Sequence, residues 1–272
     1  MPCKGSACGK IILSGEHAVV LGYPGIAVPT NERMSVTLEN SGGTDLRIHW
    51  PDVSDKWLKY GEKIVTAIRR FSLGNPSARL QAKGGILRIK TDLPLGKGMG
   101  SSTALVIALC RCLLGNDCRS EAVKIEDEMN PNHSGIDFAV IWEEKPIFFR
   151  KGAAPKRINL TANILKESRL IDTGTPNEPT PELVAWVRSR FEAGEIPVCN
   201  AIETIGRCTE RIVAGEPLKP VIRDHHRAQI ALGVVTSEAQ KIIAEIEKKG
   251  GAAKVLGAGA RTGGGGMVLR LH

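Results

Sequence analysis

LPLGKGMGSSTAL, residues 93–105, sets a glycine-rich loop directly against the start of a helix. Gly96, Gly98 and Gly100 alternate with Lys97 and Met99, so backbone N–H groups can approach a bound group without an intervening Cβ. Ser101, Ser102 and Thr103 then open a helix whose apolar residues, Ala104 to Leu114, surround it on nearly every side, and such a helix is predicted to be buried. Its unpaired N–H donors and the positive end of its dipole face the same space as the loop, which makes an anion site. Lys97 adds charge, and the three hydroxyls suit phosphate or a magnesium ion, so triphosphate is the natural guest. The stretch matches neither G-x-x-x-x-G-K-[ST] nor G-x-G-x-x-G. As a bare pattern it reads equally well as a glycine-rich turn capped by serines.

Outward from this loop, GKIILS (9–14), GIAVP (25–29) and RMSVTLE (33–39) predict three strands, and Lys56–Phe71 carries apolar residues at helical spacing until Gly74, Asn75 and Pro76. LQAKGGILRIKTDL (80–93) alternates around a Gly-Gly pair, as a strand pair or a bulged strand would. Beyond the central helix come a polar helix over 120–129, a loop at 130–135, and two strand-like pieces, AVIW (139–142) and PIFF (146–149). A lobe boundary near 151–156 divides the chain into 1–152 and 153–272. The second part predicts helices at 180–192, 199–213, 219–231 and 237–249, then AAKVLGAG and MVLRL as two strands around a flexible glycine turn at 263–266.

Composition narrows the classes of function. With 42% hydrophobic and 24% charged residues among 272, the chain has ordinary globular usage, which argues against disorder, collagen and coiled coil. No apolar stretch reaches the length of a membrane helix, since Ala104–Leu114 is interrupted by Arg111. The first residues lack a signal-peptide pattern, so a cytoplasmic protein is expected. A net charge of +8 suits either nucleic acid or a small anionic substrate, but two Tyr and five Phe offer few stacking platforms and no nucleic-acid motif is present. Seven scattered cysteines without C-x-x-C, and six histidines without H-E-x-x-H, indicate neither a disulfide framework nor a zinc site.

Four segments in order resemble the motifs of the GHMP small-molecule kinases, and among them the mevalonate kinase branch. GKIILSGEHAVVLGYPGIAVP (9–29) resembles the first motif, LPLGKGMGSSTAL the phosphate-binding motif, NHSGID (132–137) the segment with the catalytic aspartate, and GAAKVLGAG with GGGGMVL (251–269) the glycine-rich third motif. Asp172-Thr173-Gly174, followed by Thr180-Pro181-Glu182-Leu183-Val184, resembles a further segment of that branch. Cys8, Lys97, Met99, His133 and Met267 depart from the family pattern, as does an insertion at Ala260-Arg261-Thr262.

The resemblance implies an α+β two-lobed fold, with a ribosomal-protein-S5-like N-terminal lobe, a ferredoxin-like C-terminal lobe and the nucleotide between them. It implies ATP and Mg2+ as cofactors and mevalonate as acceptor, phosphorylated on its 5-hydroxyl, with no nucleic-acid or membrane partner and a homodimer as the assembly considered. It assigns Asp137 as the base toward the acceptor hydroxyl and Lys10 as its neighbour. Gly96, Lys97, Gly98, Met99, Gly100, Ser101, Ser102 and Thr103 fall to the nucleotide, and Ser102 and Glu126 to magnesium. Glu16, His17 and Thr180 fall near the acceptor. Without that context Asp137 reads as a loop carboxylate, Lys10 as a solvated strand-end charge, and Arg261 as a solvated loop charge or a phosphate contact. A different GHMP kinase, such as a phosphomevalonate kinase, and a catalytically inactive nucleotide-binding relative stay open as alternatives.

Overall fold

The computed structural model describes residues 3–39, 43–74, 80–131, 133–160 and 168–272; Asn75, Pro76 and Asn132, named above, lie outside them. Two strands carry the first lobe. β1 (Cys3–Ser14) and β2 (Gly25–Glu39) pair antiparallel along nearly their whole length, from Cys3 opposite Leu38 to Ser14 opposite Ile26. The pieces 25–29 and 33–39, expected as separate strands, are therefore one, because Thr30, Asn31 and Glu32 bridge a register shift opposite Gly9 without leaving the sheet. A Cβ on Gly9 would come within 2.2 Å of the Leu93 side chain, so the shift needs glycine there.

The other edge of β2 serves two partners in succession. Met34–Glu39 pair with β4 (Gly85–Thr91), and Gly25–Ala27 pair with β5 (Ile147–Phe149). β3 (Leu46–His49) joins β4 in parallel, and β6 (Lys156–Arg157) joins β5. Segment 80–93 thus supplies one strand rather than a pair, and its neighbour is the short β3, which the sequence reading did not anticipate. The sheet also runs past residue 152, since β6 still belongs to it.

Four helices cover this sheet: α1 (Asp55–Gly74), α2 (Ser101–Leu114), α3 (Arg119–Met129) and α4 (Ile136–Glu143). α2 is buried along its length against β1, as its all-round apolar surface requires. α4 corrects the sequence reading, which took AVIW (139–142) for a strand. The apolar run begins earlier, at Ile136, and is bounded by Gly135 and Glu144, both at positive φ. Short buried runs carry no periodicity that separates helix from strand.

The second lobe holds α5 (Thr180–Glu192), α6 (Ile196–Val213), α7 (Leu218–Leu232) and α8 (Ser237–Lys248), close to the expected ranges. They accompany an antiparallel sheet, β7 (Ser168–Asp172), β9 (Met267–Leu271) and β8 (Ala252–Val255), in that order. The glycine turn before β9 is held rather than loose, with Gly264, Gly265 and Gly266 N–H groups donating to the carbonyls of Thr175, Thr173 and Gly174. Mixed helix and sheet in two lobes is the α+β class expected. Among the described residues, no helix is long and apolar enough to cross a membrane.

Three buried histidines, His17, His225 and His226, have their pKa pushed down by burial, His226 from 6.5 to about 4 with help from His225, Arg227 and Lys254. The folded value lies below the unfolded one, so the unfolded chain takes up protons first and stability falls as pH drops from 6.5 toward 4. For His226 alone the loss is about 3 kcal/mol over that window. Urea unfolding at pH 7, 6 and 5 should show the decline, and His226→Gln should flatten it; an equal slope in the variant excludes this cause.

Candidate functional site

The middle of β1 runs beside the loop between Leu93 and Gly100. Lys10 N donates to Met99 O at 3.0 Å, so the strand and the loop share a backbone hydrogen bond. The Lys10 side chain crosses the face of Gly100, whose ideal Cβ would lie 2.9 Å from Lys10 Cγ, and Gly100 holds φ 76° as the N-cap of α2. Only glycine tolerates both conditions. The ammonium then reaches Asp137 at 3.1 Å, in the first turn of α4. Lys10 is 2% exposed, whereas the Asp137 side chain is 31% exposed and open to a substrate.

Glu126, on α3, is buried beside this pair. Its Oε1 accepts from Thr103 Oγ1 at 2.7 Å and from Asn130 Nδ2 at 3.0 Å, while Oε2 has no protein partner. Burial raises its pKa, and the charge of Asp137 adds to the rise against the hydrogen bonds that lower it. A buried carboxylate oxygen without a partner, within electrostatic reach of a second carboxylate, is a hard-oxygen donor that suits magnesium, an ion that takes few protein ligands. Thr103, expected at the nucleotide, turns its hydroxyl to Glu126 instead and fixes that carboxylate. Met99 is likewise buried in the core, so it offers the loop only its backbone.

The loop meets the second lobe at Gly98. An ideal Cβ there would lie 3.0 Å from Leu256 O and 3.2 Å from Gly257 Cα, so the phosphate-binding and third-motif backbones touch. Ser101 Oγ accepts from Gly96 N at 3.2 Å, which ties the loop to the helix. Lys97 is paired with Asp172 at the end of β7, and Asp172 also accepts from Gly174 N at 3.0 Å. Its pKa is lowered chiefly by the bond from Lys97.

Glu16 and His17 are buried and bonded inside the protein, Glu16 to Lys254 and His17 Nε2 to Ala258 O at 2.9 Å. Thr180 stands exposed at the start of α5, and among the described residues no hydrogen bond joins it to Asp137. Arg261 is exposed and stacks over Trp186 at 4.3 Å, while Glu178 accepts from the N–H groups of Arg261 and Thr262 and from the Thr262 hydroxyl. The insertion is thereby moored to α5 through Trp186.

A further cluster went unread. Arg111 on α2 donates to Ser6 O at 2.7 Å and Trp142 O at 3.2 Å and pairs with Glu144 at 2.9 Å, and Arg33 grips the same carboxylate with two bonds. Arg111 therefore bolts the helix that opens at Ser101 to the C-terminal end of the helix that carries Asp137. The one signal for it was a lone arginine in an otherwise apolar helix.

Residues 62–142 match the family described as GHMP kinases N terminal domain. The mevalonate kinase of Archaeoglobus fulgidus is 29% identical over 98% of this chain and 91% of its own length. The mevalonate kinase of Methanococcus jannaschii superposes with a TM-score of 0.79 at 17% identity, covering 100% of this chain and 91% of its own. The L. major mevalonate kinase in complex with R-mevalonate gives 0.76 at 20% identity, over 99% and 86%. The resemblance read from the four motifs is borne out over the length of the chain.

The Lys97–Asp172 pair is partly exposed and of modest strength. Asp172→Asn frees the ammonium and removes a negative charge from beside the loop, so tripolyphosphate should bind about two- to fivefold more tightly at low salt. Calorimetric titration at low and high salt checks this; weaker binding in the variant would mean that Asp172 supports the loop.

Proposed function

We propose, from the premise that this chain is a GHMP-type kinase most like the mevalonate kinases, that it transfers the terminal phosphoryl group of ATP to the 5-hydroxyl of (R)-mevalonate, giving 5-phosphomevalonate and ADP. The observation that carries the reading is the Lys10–Asp137 pair at 3.1 Å, built beside the amino end of α2. Full-length similarity to mevalonate kinases supports the choice of acceptor.

An alcohol is a far weaker acid than a carboxylic acid with a pKa near ~4, so Asp137 cannot deprotonate the acceptor in advance. In a loose, metaphosphate-like transition state little prior ionisation is needed. Asp137 orients the hydroxyl and takes its proton as the new P–O bond forms. Lys10 holds the Asp137 carboxylate in place through their ion pair and offsets charge on the transferring group. The phosphates rest on the N–H groups of the 96–103 segment. Ser102 and Glu126 would hold magnesium, which neutralises phosphate charge when bound. Thr103 and Asn130 keep Glu126 in place, with one oxygen left over. All seven cysteines are free thiols, which suits the cytoplasm as the compartment.

Two measurements test the reading. Incubation with MgATP and a panel of acceptors, followed by phosphorus NMR, should show a monoester on mevalonate; label on phosphomevalonate or another polyol instead would replace the acceptor. Asp137→Asn should lower kcat by at least about a hundredfold while nucleotide binding persists. Near-normal turnover in that variant removes the base.

A further inference from the structure

Behind Glu126 a chain of hydrogen bonds leads away from the reacting groups and into α1, a helix to which the reaction assigns no part. Asn130 caps the C-terminal end of α3, where its backbone N–H donates to Glu126 O at 2.8 Å. Its side chain turns back toward the same residue, and Nδ2 donates to Glu126 Oε1 at 3.0 Å. An amide nitrogen carries two hydrogens, and the Tyr60 hydroxyl oxygen lies 3.1 Å away to accept the second. The same hydroxyl lies 3.3 Å from Asn130 Oδ1, to which it can donate. Tyr60 belongs to α1, so a third helix reaches the carboxylate of α3 that Thr103 of α2 already holds. α1 is itself fixed. The Tyr60 ring meets Trp57 edge-on at 5.9 Å, and Trp57 meets Trp50 at 6.3 Å. Gly61, one residue on, faces β3, where an ideal Cβ would lie 2.9 Å from Ile48 Cδ1. Burial and the nearby Glu126 charge push the Tyr60 pKa up, so the phenol keeps its proton.

We propose that Tyr60 and Asn130 are positioning residues for the metal ligand: Tyr60 pins the Asn130 amide, the amide and Thr103 together occupy Glu126 Oε1, and Oε2 is thereby the oxygen left for the ion. The proposal rests on the reading of Glu126 as a magnesium ligand given above. Two donors on Oε1 fix the carboxylate about its terminal torsion, which has no sharp preferred setting of its own. The terminal torsion of an asparagine is equally broad, so the amide needs a partner besides Glu126 to stay aimed. Groups that orient a metal-binding side chain from behind change metal affinity without touching the metal. Among the described residues Oε2 has no partner, so the donors on Oε1 are what orients the pair of oxygens.

Manganese is the probe, because its binding to the protein with ADP is read by electron paramagnetic resonance without turnover. Tyr60→Phe keeps the ring and its contact with Trp57 and removes the hydroxyl alone. It should weaken Mn2+ binding by about three- to tenfold, and Asn130→Ala by about ten- to a hundredfold, the range for groups that support a metal ligand. ADP affinity in EDTA, measured by calorimetry, should not change in either variant. If Tyr60 acts through the amide, Tyr60→Phe adds no further loss of Mn2+ affinity to Asn130→Ala. Should Asn130→Ala fold poorly, Asn130→Ser takes its place in the cycle, since serine keeps a polar group at the cap and is too short to reach both partners. Unchanged Mn2+ binding in Tyr60→Phe, an additive loss in the double variant, or an equal fall in metal-free ADP affinity overturns the proposal. Glu126→Gln is the control. Native Mn2+ binding in that variant removes the magnesium reading and the proposal with it, whereas a loss there beside an unaffected Tyr60→Phe overturns the proposal alone.

Discussion

A lysine ammonium that is 2% exposed must find an anion, and here it finds Asp137 at 3.1 Å. Burying either charge alone costs several kcal/mol, roughly 3–5 when one partner of a buried pair is removed. Much of the first lobe follows from meeting that condition. β1 has to carry Lys10 past the amino end of α2, Gly100 has to lack a Cβ for the side chain to pass, and α4 has to begin at Ile136 so that Asp137 falls in its first turn. Arg111 and Glu144 then fix the far end of α4 to α2, so the carboxylate cannot drift from the loop.

What could be read from the sequence, and what could not, follows the range of the interactions. α2 was legible because an apolar surface on every side of a helix has one consequence, and the strand of 9–14 because it is a compact apolar run closed by glycine. α4 was not, since its short buried stretch fits either period; nor was the joining of 25–29 to 33–39, which depends on a register shift opposite Gly9. Site residues divide in the same way. Lys10, Asp137 and Ser102 stood in motifs and Glu126 a turn upstream of one, and the structure brings Lys10 together with Asp137 and sets Glu126 within electrostatic reach of that carboxylate. Lys254 and His225 meet Glu16 across more than 200 residues, and no local pattern announces a pairing at that distance. Thr103 stands at the helix start as expected, and its hydroxyl bonds Glu126, a partner that local sequence does not announce, because a hydroxyl on the first turn can face outward or toward the neighbouring helix with equal ease.

The lobes are joined by buried polar contacts as well as by packing. Ser14 Oγ donates to Ile205 O, Thr209 Oγ1 bonds Ser14 Oγ and Pro24 O, and the Glu16–Lys254 and His17–Ala258 links lie alongside. Directional bonds of this kind hold two bodies in one register, which apolar contact alone does not, because sliding one apolar surface over another changes its energy little. A cleft whose walls are two backbones, Gly98 on one side and Leu256-Gly257 on the other, depends on that register more than a cleft lined by adaptable side chains would.

The charges around the loop lead to a last step. Lys10, Lys97 and Lys254 each face a carboxylate, Asp137, Asp172 and Glu16 in turn, so the net charge of +8 is not gathered as free cations at this site. A polyphosphate arriving there meets compensated lysines and a set of fixed N–H dipoles at the start of α2. On the proposed reading, affinity rests on how well the backbone from Gly96 to Thr103 is aimed, and aim is a matter of φ angles: Gly96, Gly98 and Gly100 all lie between 72° and 81°. That shared left-handed conformation, repeated at alternate positions, is why the stretch alternates glycine with other residues, and why Lys97 and Met99 could depart from the family pattern while the glycines between them did not.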